Sequence, residues 1–286
     1  MPKATSGCHM KTAYSKTFLW CSLLAVSVLC SGCAGTSRLV DLSPERKGFV
    51  KELIQTDTFN ITVFSRITGP GMPITVYIEG DGRAWIKKRR LSGDPTPRNT
   101  LVFDLAAMDP AKNVVYMARP CQYTPREEEP LYDPVYWSSE RFSEPVIVSA
   151  DQVIDRLKKR TGAENIDLIG YSGGGAVAVL VAARRNDISS IRTIAGNLDH
   201  EEVNRYHKAS RLNGSLNPID LSEKVAGIPQ NHFTGDKDKT VPPSIAERFI
   251  DSMPRDNRAQ EISVKGCTHH KGWRENWPGL LKTPFK

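Results

Sequence analysis

The chain has 286 residues, 39% hydrophobic and 25% charged, with 21 glycines and 19 prolines, proportions that argue against a disordered, fibrous or multi-spanning membrane protein. The length allows one large domain or two small ones. The net charge is +7, but Lys3, Lys11 and Lys16 lie in a stretch without carboxylates, and the other basic residues alternate with acidic ones without forming a stripe, so nucleic acid is not an expected partner.

Residues 1–32 read as a secretory signal. Lys11 and Lys16 precede an apolar run from Phe18 to Leu29 that ends in the small residues Ser31 and Gly32. A spanning helix needs about 20 apolar residues, more than this run supplies. The string Leu29-Cys30-Ser31-Gly32-Cys33 resembles a bacterial lipobox, with Cys30 where an aliphatic residue is usual and Leu29 one place further out. The resemblance implies a lipid on Cys33, a tether over 33–48, and attachment to a membrane of the bacterial cell envelope, with the domain in the periplasm or outside the cell. Simple secretion with an unmodified Cys33 is the plainer alternative, and Met10 offers a second start with a shorter signal. After processing, only Cys121 and Cys267 are left to pair in an oxidising compartment.

The domain is expected over 49–286. Two β-rich runs, 49–56 and 58–67, flank Asp57 and predict an antiparallel pair. Apolar strands follow over 74–78, 113–117, 167–169, 191–195, 230–234 and 261–265, and helices are predicted over 145–160, 174–185 and 243–252. Strands alternating with helices indicate an α/β fold, a mostly parallel sheet with helices on both faces. Two stretches, 120–144 and 197–227, break the alternation and read as long loops. The first carries Tyr123, Tyr132, Tyr136, Trp137 and Phe142 in a setting too polar for a core. Long irregular loops are most often lids or binding loops, and both follow the C-terminal ends of strands, where ligands sit in open α/β sheets.

The strongest local signal is Gly170-Tyr171-Ser172-Gly173-Gly174, a GxSxG entered from an apolar strand and followed by an alanine-rich, helix-like segment. A nucleophile on a sharp strand-to-helix turn sits in a strained backbone conformation, and flanking side chains would collide with strand and helix, which explains the glycines. The turn also places Ser172 at a helix N-terminus, where the Gly173 amide can stabilise an oxyanion. A serine hydroxyl needs a base, and the base needs an orienting carboxylate. Candidates for both lie downstream: Asp238 in Gly235-Asp236-Lys237-Asp238-Lys239-Thr240-Val241-Pro242, and His269 in Gly266-Cys267-Thr268-His269-His270, each after a different strand.

With these motifs in the order Ser, Asp, His, residues 49–275 resemble the α/β-hydrolase superfamily. The resemblance implies Ser172 as nucleophile, Asp238 as acid and His269 as base, with His270 and Asp236 as alternates. The runs YIEGDGRAW, ARPCQY and GNLDH are similar to bacterial exported or lipid-anchored hydrolases of unassigned substrate. A second oxyanion amide should come from Glu79-Gly80-Asp81-Gly82, at Asp81 or its neighbour, where the family often shows HG. Glu79 and Asp81 set two carboxylates near a developing negative charge. Arg83 or Arg119 balances them, or they bind a cationic part of a substrate. Asp199 and His200 line the pocket or, as a lesser option, supply the acid, while His207 and His232 default to surface or core packing.

In the family's sheet order the strands before Cys121 and Cys267 stand five positions apart, about 24 Å. A bridge needs Cα atoms within about 7 Å, so pairing depends on both loops leaning inward. No HxxxH or HxH pair occurs at metal-ligand spacing, and no metal or organic cofactor is expected. The predicted activity is ester hydrolysis through an acyl-enzyme on a small ester or acyl substrate, with aromatic residues of the two loops forming an apolar acyl pocket. The alternatives are a peptidase or thioesterase, and a catalytically inactive envelope binding protein that kept the fold.

Overall fold

A computed structural model of the chain describes residues 47–87 and 90–286. The signal over 1–32, Cys33 and all but the end of the 33–48 tether lie outside the described residues. Strand β1 (Val50–Gln55) turns at Asp57 into β2 (Asn60–Ile67), antiparallel in register from Val50↔Ser65 to Gln55↔Asn60. A small hairpin, β4 (Trp85–Lys87) with β5 (Arg90–Leu91), follows β3 (Ile74–Ile78). The main sheet continues with β6 (Asn113–Met117), β7 (Ile166–Tyr171), β8 (Ile188–Ile194), β9 (Gln230–Gly235) and β10 (Ala259–Val264). Its order is β1-β2-β6-β3-β7-β8-β9-β10; β2 runs antiparallel to β6, and every pair from β6 to β10 is parallel.

The central strands read as unbroken apolar runs because both of their faces are covered. Along β3, Ile74, Val76 and Ile78 join one core and Tyr77 the other; along β6, Val115 and Met117 take the first side and Val114 and Tyr116 the second. The first core is closed by α2 (Glu144–Thr161), α3 (Gly173–Ala182), α5 (Ser222–Val225) and α6 (Ser244–Asp251). The second is closed by α1 (Leu101–Met108) and α7 (Trp273–Leu280), which brings Trp273 into that core and sets Trp277 edgewise against Tyr77 and Phe233. Helix α2 starts with Pro145 in its first turn, carries Lys158, Lys159 and Arg160 in its last, and stops at Gly162 with φ 73°, a left-handed position that glycine adopts without Cβ strain.

The two expected loops differ from prediction. Segment 120–144 contains short 3₁₀ turns at Arg126–Glu128 and Pro134–Trp137, and most of its aromatic rings are spent on packing. Tyr123 joins Phe64 and Tyr116, and Phe142 lies in the first core. Trp137 stacks edgewise on Tyr132 and donates its Nε1–H to Ser92 O at 3.1 Å. Segment 197–227 holds α4 (His200–His207), the 3₁₀ turn Pro218–Leu221 and α5. Cys121 and Cys267 are both free and buried in different clusters, so the disulfide left open above does not form. Among the described residues no helix is long and apolar enough to cross a membrane.

Candidate active site

Ser172 sits where β7 meets α3, with φ 51° and ψ −119°, a backbone conformation that costs a non-glycine residue about 1–3 kcal/mol. The turn is locked around it. Ser172 N–H donates to Ile194 O at 2.9 Å, and its carbonyl accepts from Gly175 and Asn197 amides at 3.0 and 2.9 Å. A Cβ on Gly170 would stand 2.2 Å from Gly174 O, and one on Gly174 would stand 2.2 Å from Ile78 O. Backbone occupies both spaces, so only glycine fits.

The loops after β9 and β10 bring the other two groups to Ser172. Asp238 is buried, and its Oδ1 accepts the Thr240 and Val241 amides at 2.7 and 3.0 Å, which fixes the carboxylate and leaves Oδ2 free to face the imidazole. Since a carboxylate only accepts, His269 Nδ1–H donates to Asp238 Oδ2 at 2.8 Å, and His269 Nε2 is left to accept from Ser172 Oγ–H at 3.0 Å. The His269 backbone is pinned as well, its carbonyl accepting from Tyr171 Oη at 2.9 Å and Trp273 Nε1 at 3.1 Å. The arrangement can move a proton from the hydroxyl to the imidazole with the carboxylate holding the tautomer.

Among the described residues the amides of Gly173 and Asp81 donate to no turn, loop or side-chain acceptor. The Asp81 carboxylate lies against Gly173, where a Cβ would come 2.0 Å from Oδ1. Two arginines neutralise it: Arg119 Nη1 is 3.5 Å from Oδ1 and Arg141 Nε 3.3 Å from Oδ2. Arg119 was one of the two expected partners. Arg83 makes no such pair; its amide instead donates to Pro95 O. Gln122 ties the loop down by donating to Gly80 O at 3.0 Å while accepting the Arg119 amide at 3.1 Å. The cleft over Ser172, about 290 Å³, includes Asp81, Trp85, Arg98, Arg141 and both histidines in its lining.

No family model and no curated protein matches the chain. Solved structures do. Est1E from Butyrivibrio proteoclasticus is 14% identical with a TM-score of 0.57 over 81% of this chain and 96% of its own. An alpha-beta serine hydrolase homologue from Coxiella burnetii is 16% identical with a TM-score of 0.56 over 81% and 93%. The esterase Pf2001 of Pyrococcus furiosus is 12% identical with a TM-score of 0.60 over 83% and 90%. The chain has the α/β-hydrolase fold.

Within the α/β-hydrolase fold, the alternates fall into supporting positions. His270 Nδ1 meets Tyr171 Oη at 2.6 Å, so it braces the histidine loop while its side chain borders the cleft beside His269. Asp236 accepts the Gly266 amide at 2.7 Å and shapes the turn that presents His269. Asp199 caps α4 and pairs with Arg248 at 2.8 Å, and His200 stacks on Phe142; neither lines the cleft, contrary to expectation. His207 is exposed and bonds Thr240 O at 2.8 Å. His232 is a core residue bonded to Thr193 Oγ1 at 2.9 Å. The apolar acyl pocket expected from the loop aromatics is absent from the described residues: of segments 120–144 and 197–227, only Arg141 reaches the cleft. His270→Gln is expected to lower kcat/KM for a p-nitrophenyl ester by less than about tenfold, and His269→Gln by about 10⁴-fold or more, as steady-state assays of the two variants will read.

Glu79, at the end of β3, is buried. It accepts from Tyr116 Oη and the Gly80 amide, each at 2.8 Å. Burial pushes its carboxyl from 4.5 up to about 7, against the pull of those hydrogen bonds. Between these two values the folded chain keeps a proton that the unfolded chain has released. The stabilisation is therefore complete below pH about 4.5 and is lost as pH rises through about 7, some 3 kcal/mol in all. Glu79→Gln keeps an acceptor for Gly80 and removes the titration. Thermal melts should show the variant gaining on wild type from pH 5 to 8; a constant offset would contradict the assignment.

Proposed function

We propose that the protein is a serine hydrolase that cleaves carboxylic esters through an acyl-enzyme. The observation that carries the reading is the continuous hydrogen-bonded path from Ser172 Oγ through His269 to Asp238. Ser172 attacks the ester carbonyl as its proton passes to His269 Nε2. The oxyanion forms between the Gly173 and Asp81 amides, and the imidazolium returns the proton to the departing alcohol. A water, deprotonated by the same imidazole, then releases the acid and restores Ser172. No step calls on a cofactor.

An open cleft and a 3.0 Å contact between Ser172 and His269 count against an inactive binding protein, which would block the serine or displace the histidine. Esters are favoured over peptides because a similar structure of comparable length is named as an esterase, while this chain spans 37% of a puromycin-hydrolyzing peptidase from Mycobacterium tuberculosis. A fluorophosphonate probe is expected to label the wild type and not Ser172→Ala; equal labelling of both would defeat the proposal. We also propose that the protein is exported to the bacterial cell envelope and lipid-anchored at Cys33, a reading that rests on the sequence. Metabolic labelling with a palmitate analogue should mark the wild type and spare Cys33→Ala, and an unlabelled wild type would remove it.

A further inference from the structure

The cleft beside Ser172 holds a cation that the proposed chemistry leaves idle. Arg141 directly precedes Phe142, and its guanidinium lies 5.4 Å from the centre of that ring, with the side chain 12% exposed. Its Nε is buried and makes no hydrogen bond, standing 3.3 Å from Asp81 Oδ2, and its terminal amino groups donate to no protein group among the described residues. Arg119 approaches the same ring at 5.3 Å, is 5% exposed, and has Nε and Nη1 without hydrogen-bond partners. Burial lowers Arg119 to about 10, which leaves it charged at neutral pH. Two guanidinium groups thus share one carboxylate, Asp81. Glu79, pushed up to about 7, offsets only part of the remainder, and the exposed Arg98 adds a further positive charge to the lining.

Of the Arg141 nitrogens only Nε is buried without a hydrogen bond; the two amino groups reach the solvent of the cleft with their N–H groups unspent on protein, so an acceptor entering the cleft meets them directly. The planar fork of arginine matches the two oxygens of a carboxylate. The position is also informative. Asp81 touches Gly173 on one side and Arg141 on the other, so one carboxylate's width separates the arginine from an oxyanion amide.

Resting on the serine-hydrolase reading, we propose that the enzyme selects esters carrying a second, ionised carboxylate a few bonds from the scissile carbonyl, and that Arg141 is the residue that grips it. Arg119 holds Asp81 from behind and leaves the Arg141 amino groups to the substrate. The selectivity is polar, in place of the chain-length selectivity that an apolar pocket would give.

The test compares matched esters by kcat/KM. Mono-p-nitrophenyl adipate against p-nitrophenyl hexanoate places the carboxylate on the acyl side, with the uncatalysed rate subtracted; the butyrate ester of para-hydroxybenzoate against phenyl butyrate places it on the leaving side. One acidic ester should exceed its neutral partner by about tenfold or more, the worth of a hydrogen bond to a charged group. Arg141→Gln should bring that ratio toward one, and Arg141→Lys should keep part of it. The ratio is the readout because Arg141 also steadies Asp81, and its loss lowers both rates. Wild type showing no preference for either acidic ester, or a preference that survives Arg141→Gln, would overturn the inference while hydrolysis and fluorophosphonate labelling continue. Loss of labelling in the wild type itself would instead bring down the hydrolase reading and this inference with it.

Discussion

Ser172→Ala is expected to lower kcat for p-nitrophenyl butyrate by about 10⁶-fold, and Asp238→Asn by about 10⁴-fold. The two losses differ because the serine supplies the bond that forms, whereas the aspartate orients a base that is still present. Circular dichroism and thermal melts should leave Ser172→Ala within about 0.5 kcal/mol of wild type, since the substitution removes one hydroxyl and keeps the backbone path. Ser172→Ala and the double variant Ser172→Ala/His269→Gln should be about equally inactive, because groups that act on one proton do not add. If the single variant keeps more than about a hundredth of the activity, the nucleophile lies elsewhere.

Gly174→Ala should cost about 3 kcal/mol of stability or more. The new methyl would meet Ile78 O at 2.2 Å and Glu79 O at 2.7 Å. Both are backbone atoms at the end of β3, and neither can retreat without breaking the ladder to β7 or moving the loop that carries Asp81. Gly227→Ala is the matched control, since nothing stands within 4 Å of its Cβ position; it should shift stability by less than about 1 kcal/mol. Denaturant titrations of the two variants test the contrast, and equal losses would mean that close packing at the turn does not fix the serine in place.

Much of this architecture was legible in the sequence for one physical reason. Strands covered on both faces, such as Ile74–Ile78 and Asn113–Met117, are uniform apolar runs bounded by polar turns. The turn around Ser172 was legible because steric exclusion leaves a glycine signature. Helix α1 was missed because Leu101–Met108 is apolar on nearly every side and carries no helical stripe, and α7 because Pro278 lies inside it. Segment 120–144 misled for a different reason. Its acidic residues suggested a solvated lid, yet its rings fill gaps in two cores and against the small hairpin, a fact that composition cannot convey. Arg141 has no sequence signal, and Gln122 lies in the run ARPCQY, which gives a resemblance and no role. Each depends on Asp81 and Gly80 meeting residues 42 to 60 positions away, and only the packed loops bring them together.

The most direct measurement is to trap the covalent intermediate. Enzyme mixed with p-nitrophenyl butyrate, quenched in acid within the first turnovers and digested, should yield the peptide that contains Gly170–Gly174 heavier by one butyryl group. A burst of p-nitrophenol equal to the enzyme concentration should accompany it. Rapid turnover with that peptide unmodified, or with the acyl group on another residue, would contradict the account at its centre.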